Sequence, residues 1–217
     1  DMTFGNAQLS AYNYSSLVKV SQQLLQDSAF DLDAFLVEAM GERIARATNA
    51  AFTTGTGSSQ PQGIVTGSSL GNTAAGATAI VADDILDLIY SVDASYRNKP
   101  GFGLMAHDNI IAAVRALGLG SANDFPVFIP SMEAGQPDRI FGVPVYVNND
   151  MQSSIATGTK TMVAADFSKF VVRNAGGIQM LRLNERFADE LEVGFVSWKR
   201  SDSKVLDTRA VKHLIQA

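Results

Sequence analysis

A long stripe of apolar residues between positions 28 and 51 constrains the fold more than any other feature of the sequence. Its members recur at the three- and four-residue spacing of one helix face, and they are Leu32, Phe35, Leu36, Ala39, Met40, Ile44, Ala47 and Ala51. Ser28 followed by Asp31 resembles a capping box and predicts the start of the helix. A helix of roughly 24 residues is about 35 Å long, which is long for a domain within a chain of 217 residues.

The opposite side of this predicted helix is charged. It carries Glu38, Glu42, Arg43 and Arg46, and the spacing of Glu42 and Arg46 predicts a stabilising pair within the helix. The helix is expected to end at "TTGTG", where a glycine can adopt the left-handed conformation that often terminates helices.

Extended strands are predicted near both ends of the chain. Residues 1–20 contain "QLSAYNYSSLVKV", in which Leu17 and Lys19 lie on one face of a strand and Val18 and Val20 on the other. This strand has no partner nearby in sequence, so it must pair with something more distant, a second chain included. Near the other end, "GGIQMLRLNERF" and "LEVGFVSWKRS" alternate around a break at 187–190 and predict a long hairpin.

The middle of the chain predicts a separate unit of helices and strands. "VADDILDLIYSVDASYRN" has the pattern of an amphipathic helix, "PGFGLMAH" that of a buried strand, and "DNIIAAVRALG" that of a helix from Asp108 to Gly118. Residues 68–78 are expected to form a loop, and Pro144 suggests an edge or irregular position in the strand "FGVPVYVNNDM". "KTMVAADFSKFVVRN" predicts one or two strands. The sequence therefore predicts an α+β fold with two lobes, in which the chain leaves the first lobe, builds the second and returns.

Composition excludes several classes of function. The net charge of −5 argues against a general basic footprint for nucleic acid. The absence of cysteine excludes disulfides, thiol catalysis and cysteine-ligated zinc, and two histidines make a histidine-rich metal site improbable. No apolar run approaches the roughly 18 residues of a membrane span, and "DMTFGNAQLS" has no signal-peptide pattern. We therefore expect no cofactor, no metal and no membrane partner.

The glycine-rich segment "AFTTGTGSSQPQGIVTG", residues 51–67, raises the alternative of a phosphate-binding loop. The spacing from Gly57 to Gly63 does not fit a P-loop, and Ile64 stands near the position where the lysine is needed. A dinucleotide loop precedes its helix, whereas here the helix comes first. We interpret the segment as a turn, with the alternative that Ser58 and Gln60 contact a neighbouring subunit.

Three other groups of residues could carry chemistry, and each also has a structural interpretation. The acidic residues 83, 84 and 87 lie at a helix start, where carboxylates are favoured, and those at 185, 189, 190 and 192 surround a solvated bend. His107 before Asp108 suggests a catalytic pair, but a capped strand-to-helix turn explains it equally well. Trp198 beside Lys199 and Arg200 is interpreted as a buried anchor with a basic edge, of the kind enriched at subunit contacts.

The run "LVKVSQQLLQDSAFDLDAFLVEAMGERIARATNAAFTTGTGSSQPQGIV" closely resembles the major capsid proteins of tailed bacteriophages of the Hong Kong 97 type. The family's turn "f..G.G..qP.Gi" is matched by Phe52, Gly55, Gly57, Gln60, Pro61, Gly63 and Ile64. "RIFGVPVYVNNDM", "VAADFSKFVVRNAGGIQM" and "VGFVSWKRSDSKVLDTRAVKHL" are similar in order and spacing, so the resemblance extends from about Leu17 to the end.

The resemblance implies a Hong Kong 97-like fold with a peripheral domain and an axial domain. We assign 28–75 and 173–202 to the peripheral domain, which contains the long spine helix and the hairpin, and 76–172 and 203–217 to the axial domain. Residues 1–27 resemble the returning strand of an extended loop, so the chain resembles a subunit trimmed at its N-terminus.

The function implied is that of a structural, non-catalytic subunit of the virion capsid. Copies would assemble in the host cytoplasm into pentamers and hexamers of an icosahedral shell. Scaffold, portal and decoration proteins are implied as further partners, and packaged DNA would be contacted only weakly. The candidate subunit contacts are Lys19, Glu42, Arg46, Gln60, Arg186, Trp198 and Arg200. Two alternatives remain, an encapsulin-type nanocompartment subunit with the same fold and a small α+β enzyme using His107 and Asp108.

Overall fold

A computed structural model describes residues 7–28, 31–117, 127–131 and 136–217. Within these ranges the α-helices are α1 (Gln22–Asp27), α2 (Leu32–Thr54), α3 (Ile64–Gly67), α4 (Ala82–Ser91), α5 (Ala94–Arg97) and α6 (Asp108–Leu117). Short 3-10 turns occupy Phe167–Lys169, Ala188–Glu190 and Thr208–Ala210. The expected helix end at Gly118 and the first residues of the strand predicted over 1–20 lie outside the described residues.

The strands form two sheets. They are β1 (Tyr12–Ser21), β2 (Ser69–Thr73), β3 (Phe102–Ala106), β4 (Phe128–Ile129), β5 (Arg139–Ile140), β6 (Val143–Val147), β7 (Lys160–Asp166), β8 (Phe170–Asn174), β9 (Gln179–Leu183), β10 (Glu192–Val205) and β11 (Val211–Ile215). One sheet has β10 at its centre, with β1 on one side and β8 and β9 on the other. The second sheet has the order β2-β11-β7-β3-β6-β5-β4. The predicted mixture of helices and sheets is confirmed.

The long helix α2 covers one face of the four-stranded sheet. Leu32, Leu36 and Met40 of α2 share a buried cluster with Val193 and Phe195 of β10. The 23-residue helix confirms the length predicted from the apolar stripe. The buried stripe is narrower than predicted, because its residues follow a four-residue spacing that leaves Phe35 57% exposed.

The cap of the helix is Asp31, three residues after the predicted cap Ser28. Asp31 accepts a hydrogen bond from the backbone N–H of Ala34 at 3.1 Å, whereas Ser28 ends the short helix α1. Ser21 caps α1 by accepting from the N–H of Leu24 at 3.3 Å. The prediction of Ser28 as the cap was therefore wrong, because "SQQLLQDS" forms a helical turn of its own before the long helix starts.

The strand near the start of the chain finds its partner inside the chain. β1 runs antiparallel to β10 over ten residue pairs, from Tyr12 opposite Ser201 to Ser21 opposite Glu192. The predicted hairpin is confirmed, since β9 pairs antiparallel with β10. One side of β1 therefore remains at the edge of the sheet in the described part of the chain.

The seven-stranded sheet holds the largest core. All residues of β3 are buried, and the core cluster joins residues of α4 and α6 to this sheet. Residues 68–78 are not all loop, because β2 pairs in parallel with β11. The helix predicted over 81–98 breaks at Val92 and Asp93, where Asp93 caps α5. Pro144 lies in an interior strand, but its partner β5 is only two residues long.

Candidate assembly surfaces

The loop after α2 is a turn fixed by close backbone packing. A Cβ atom on Gly55 would lie 2.3 Å from the carbonyl oxygen of Pro61, and one on Gly63 would lie 2.5 Å from that of Thr53. Gly55 has φ −54°, so the expected left-handed glycine at the end of the helix is instead Gly57, at φ +78°. These positions need glycine for geometry, which supports the interpretation of this segment as a turn.

Gln62 fastens the same loop to β10. Its backbone N–H donates to the carbonyl oxygen of Ser203 at 3.1 Å, and its carbonyl oxygen accepts from the Ser203 hydroxyl at 2.9 Å. The Gln62 side chain also accepts from the N–H of Val205 at 3.3 Å. Gln60 is exposed at the tip of the loop, and its amide donates to the Thr56 hydroxyl at 2.8 Å. The base of the loop is therefore hydrogen-bonded to β10, and Gln60 lies at its exposed tip.

The charged face of α2 points to solvent. Glu42 and Arg46 form the predicted pair one helical turn apart, with side chains 61% and 77% exposed. Near the end of the helix, the Asn49 amide donates to Asn148 at 3.0 Å and to Asp150 at 2.5 Å. Asn148 in turn donates to Thr53 at 2.8 Å. These polar contacts tie the end of α2 to the turn that follows β6.

Lys19 is held by the tip of the β9–β10 hairpin. Its ammonium group lies 2.5 Å from Glu190 and 3.3 Å from Glu192, and 4.2 Å from the centre of the Phe187 ring. The hydrogen bond between Lys19 and Glu190 raises the pKa of Lys19 and lowers the pKa of Glu190. Arg186 lies against the same ring, with its guanidinium 5.6 Å from the centre. Lys19 and Arg186 therefore both have partners in their own chain.

Trp198 and Arg200 lie on the sheet itself. Trp198 is half-buried, rather than a fully buried anchor, and stands between Ser15 of β1 and Gln179 of β9. Arg200 is exposed and stands opposite Asn13. The seven candidate contacts do not form one cluster: the structure places Lys19 and Arg186 at the hairpin tip, Glu42 and Arg46 on α2, and Gln60 on the loop.

The titratable residues of the second lobe have structural partners. The His107 ring accepts a hydrogen bond from the N–H of Asn109 at 3.0 Å, which caps α6. Asp84 is buried and accepts from the N–H groups of Ala75 and Val81, both at 3.0 Å. Both groups thus satisfy backbone donors, as the structural interpretation of these motifs predicts.

The most perturbed histidine was assigned no role from the sequence. His213 is buried in β11 and shares a 2.8 Å hydrogen bond with the Ser68 hydroxyl. Burial, assisted by the charge of Lys160, lowers the pKa of His213 to about 4. No sequence pattern predicted this contact, because 145 residues separate the two partners.

Within the described ranges there is neither a candidate metal site nor a candidate membrane-spanning helix. No group of three or more His, Cys, Asp or Glu side chains there could hold a metal ion. No helix in the same ranges is long and apolar enough to cross a membrane.

A family model described as "Phage capsid family" matches residues 1–215. The chain belongs to the phage capsid family. No curated protein matches it in sequence. Among solved structures, the capsid of an empty GTA particle computed with C5 symmetry is 28% identical, with a TM-score of 0.83. The match covers 96% of this chain and 74% of that one.

More distant structures share the fold of this capsid-family protein. A structure from Mycobacterium phage Adephagia is 11% identical with a TM-score of 0.68, covering 96% of this chain and 73% of that chain. The holo-SrpI encapsulin complex from Synechococcus elongatus PCC 7942 is 14% identical with a TM-score of 0.69, covering 94% and 73%. The Hong Kong 97-like fold and the membership of a phage capsid family are thus both confirmed, and the phage capsid fits better than the encapsulin alternative.

Proposed function

We propose that this protein is a major capsid protein whose copies assemble into pentamers and hexamers of a closed icosahedral shell around DNA. The observation that carries the proposal is the family match over residues 1–215, together with the TM-score of 0.83 to a particle capsid. Its location is then the virion capsid, assembled in the cytoplasm of the bacterial host. The role is structural, so subunit surfaces rather than catalytic groups do the work.

The proposed division into domains follows the two sheets. The peripheral domain, 28–75 and 173–202, contains α2 and most of the four-stranded sheet, which share one core cluster. The axial domain, 76–172 and 203–217, contains most of the seven-stranded sheet and its own core. β2 is best assigned to the axial domain, because it pairs with β11. β1, within the proposed remnant 1–27, completes the peripheral sheet.

The first experiment images the protein expressed from its complete coding sequence. Negative-stain microscopy is expected to show closed shells, or pentamers and hexamers at low concentration. A uniform population of monomers at every concentration would contradict the proposal. Nuclease-protected DNA inside shells purified from infected or induced cells separates a phage capsid from an encapsulin, which would instead co-purify with a protein cargo.

The charged face of α2 can be tested by exchanging its two charges. The double variant Glu42→Arg with Arg46→Glu keeps the net charge and the ion pair within the helix. Its free energy of unfolding should therefore change by less than about 0.5 kcal/mol. It reverses the charge pattern offered to a neighbour. If the face is a subunit contact, assembly falls although the fold is intact; unchanged assembly would remove Glu42 and Arg46 from the proposed contacts.

A further inference from the structure

The four-stranded sheet has one face covered by α2 and one open face. Side chains alternate between the faces of a strand, and Phe195 and Val193 of β10 point towards α2. Val196 therefore points to the open face, in one row with Leu17 of β1 and Leu181 of β9. Leu17 is 48% exposed and Leu181 is 51% exposed. Among the described residues, no further element packs over this row.

One end of this sheet is acidic. The hairpin tip, residues 184–192, carries four carboxylates and one arginine. Lys19 binds Glu190 and Glu192. Glu185 and Asp189 are exposed, and neither has an ion-pair partner in the part of the chain that the structure describes. The tip therefore keeps uncompensated negative charge.

The other end of the sheet is basic. Arg200 and Lys204 of β10 lie there beside Arg173 of β8, and within the described ranges none of the three has a carboxylate at ion-pair distance. Arg173 instead donates to the backbone carbonyl of Leu9 at 2.7 Å. Asp202, which stands opposite Arg173, is buried and accepts from two backbone N–H groups, and its single carboxylate can offset only one of these three cations. This end therefore keeps uncompensated positive charge.

The two ends are too far apart to neutralise one another. Glu192 and Lys204 are twelve steps apart on one continuous strand, which is about 40 Å at the rise of a β-strand. Screening reduces interactions between exposed charges beyond about 8 Å at physiological ionic strength. In a single copy, water and counterions solvate both ends. A second copy can supply opposite charge directly, because the surface complementary to each end is the other end of the same sheet.

We propose that the hairpin tip of one copy binds the basic end of the four-stranded sheet of the next copy, head to tail. This inference rests on the proposed shell function and names one of its contacts. A head-to-tail contact uses two different surfaces of each copy and generates a ring when the rotation closes. Complementary charges suit such a contact, because they fix its direction and suppress wrong pairings.

Leu191 at the tip gives this contact an apolar component. Its side chain is 62% exposed, and its backbone has φ +53°, a left-handed conformation that is unfavourable for leucine. A strained, exposed apolar residue at a chain reversal motivates a functional interpretation. A tip seated on Arg200 and Lys204 brings its Leu191 towards Trp198 and the apolar row of the neighbour.

The test uses charge reversal at each end in the protein expressed from its complete coding sequence. The tip variant is Glu185→Lys with Asp189→Lys, and the base variant is Arg200→Glu with Lys204→Glu. Each replaces attraction by repulsion, so the protein concentration needed for assembly should rise about tenfold or more. The four-site variant combines both sets, has the net charge of the parent and should assemble within about threefold of it.

Sedimentation velocity measures the assembled fraction of each variant. It is run at about 0.1 M and 1 M salt, because the screening length falls from about 10 Å to about 3 Å over that range and the effect of charge should fall with it. Asp87→Lys, an exposed site on α4, is the control and should leave assembly unchanged. If the parent assembles and either end can be reversed without effect, or if the four-site variant is as defective as the others, the head-to-tail contact is wrong. A base variant that assembles normally but loses DNA binding would assign that end to DNA instead.

If the parent itself never assembles, the shell function fails and the contact fails with it. A parent that forms only dimers would also overturn the head-to-tail arrangement. Thermal unfolding of every variant separates a lost contact from a lost fold, and the four-site variant is decisive because repulsion at both ends has been converted back to attraction.

Discussion

Gly63→Ala should destabilise the fold by an amount that follows from the packing of the loop after α2. The new Cβ would lie 2.5 Å from the carbonyl oxygen of Thr53 and 2.6 Å from the backbone nitrogen of Gly55. Ordinary van der Waals contacts of a Cβ atom begin near 3.4 Å. The end of α2 and the loop must therefore separate by about 0.9 Å to accept the new atom, which is overpacking. Overpacking costs about 1–3 kcal/mol. The 2.8 Å hydrogen bond from the Gly63 N–H to the carbonyl of Gly55 would also weaken, at about 1 kcal/mol.

The total expected loss is about 2–4 kcal/mol, which corresponds to a fall in Tm of about 5–15 °C for a domain of this size. Urea unfolding followed by the fluorescence of Trp198, the single tryptophan, measures it. Gly41→Ala is the matched control, because a Cβ at Gly41 in α2 meets no atom within 4 Å. Alanine there should stabilise the helix by about 0.5–1 kcal/mol. Equal effects of the two substitutions, or a loss below about 0.5 kcal/mol for Gly63→Ala, would refute this explanation of the glycine.

Three further predictions concern single side chains. Met40→Ala removes a side chain that is 1% exposed beneath the sheet, and should lower the free energy of unfolding by about 3 kcal/mol in urea titrations; a loss below about 1 kcal/mol would contradict the packing of α2. His213 has a folded pKa of about 4 against an ordinary value of 6.5. As the pH falls, the unfolded chain therefore binds a proton at this histidine before the folded chain does. The contribution of His213 to the free energy of unfolding, about 3 kcal/mol, should be present above pH 6.5 and lost as the pH falls to about 4. In His213→Asn, the free energy of unfolding measured by urea titration between pH 6.5 and pH 4 should no longer show this loss. Leu191→Asn relieves the unfavourable backbone angle and should raise the free energy of unfolding by about 0.5–1 kcal/mol, while assembly becomes weaker; a variant that is less stable yet assembles normally would contradict both parts.

The elements that the sequence predicted correctly have strong local periodicity. The four-residue repeat through Leu32, Leu36 and Met40 predicted α2, because a helix packed on a sheet must present one apolar stripe. The pair between Glu42 and Arg46 depends only on helical spacing, so it was also predictable. The two runs of alternating residues on either side of residues 187–190 predicted the hairpin, because alternation along a strand is also a local pattern.

The contacts that the sequence missed join residues far apart in the chain. Lys19 and Glu190 are separated by 171 positions, and no local pattern indicates that β1 pairs with β10. β2 was expected to be loop because "SLGNT" is short and polar, and its pairing with β11 overrides that weak propensity. The uncompensated charge at the two ends of the sheet could not be predicted either, because it depends on the pairing of β1 and β8 with opposite ends of the 14-residue strand β10.

Whether copies of this protein form a shell can be measured as the mass of the particles that the protein forms when it is expressed from its complete coding sequence. Multi-angle light scattering during size separation measures this mass, and electron microscopy of the same fraction identifies the shape. Closed shells are expected, with pentamers and hexamers as the smaller species. A single monomeric species that persists as the protein is concentrated would contradict the proposal that this capsid-family protein builds a shell from copies of itself.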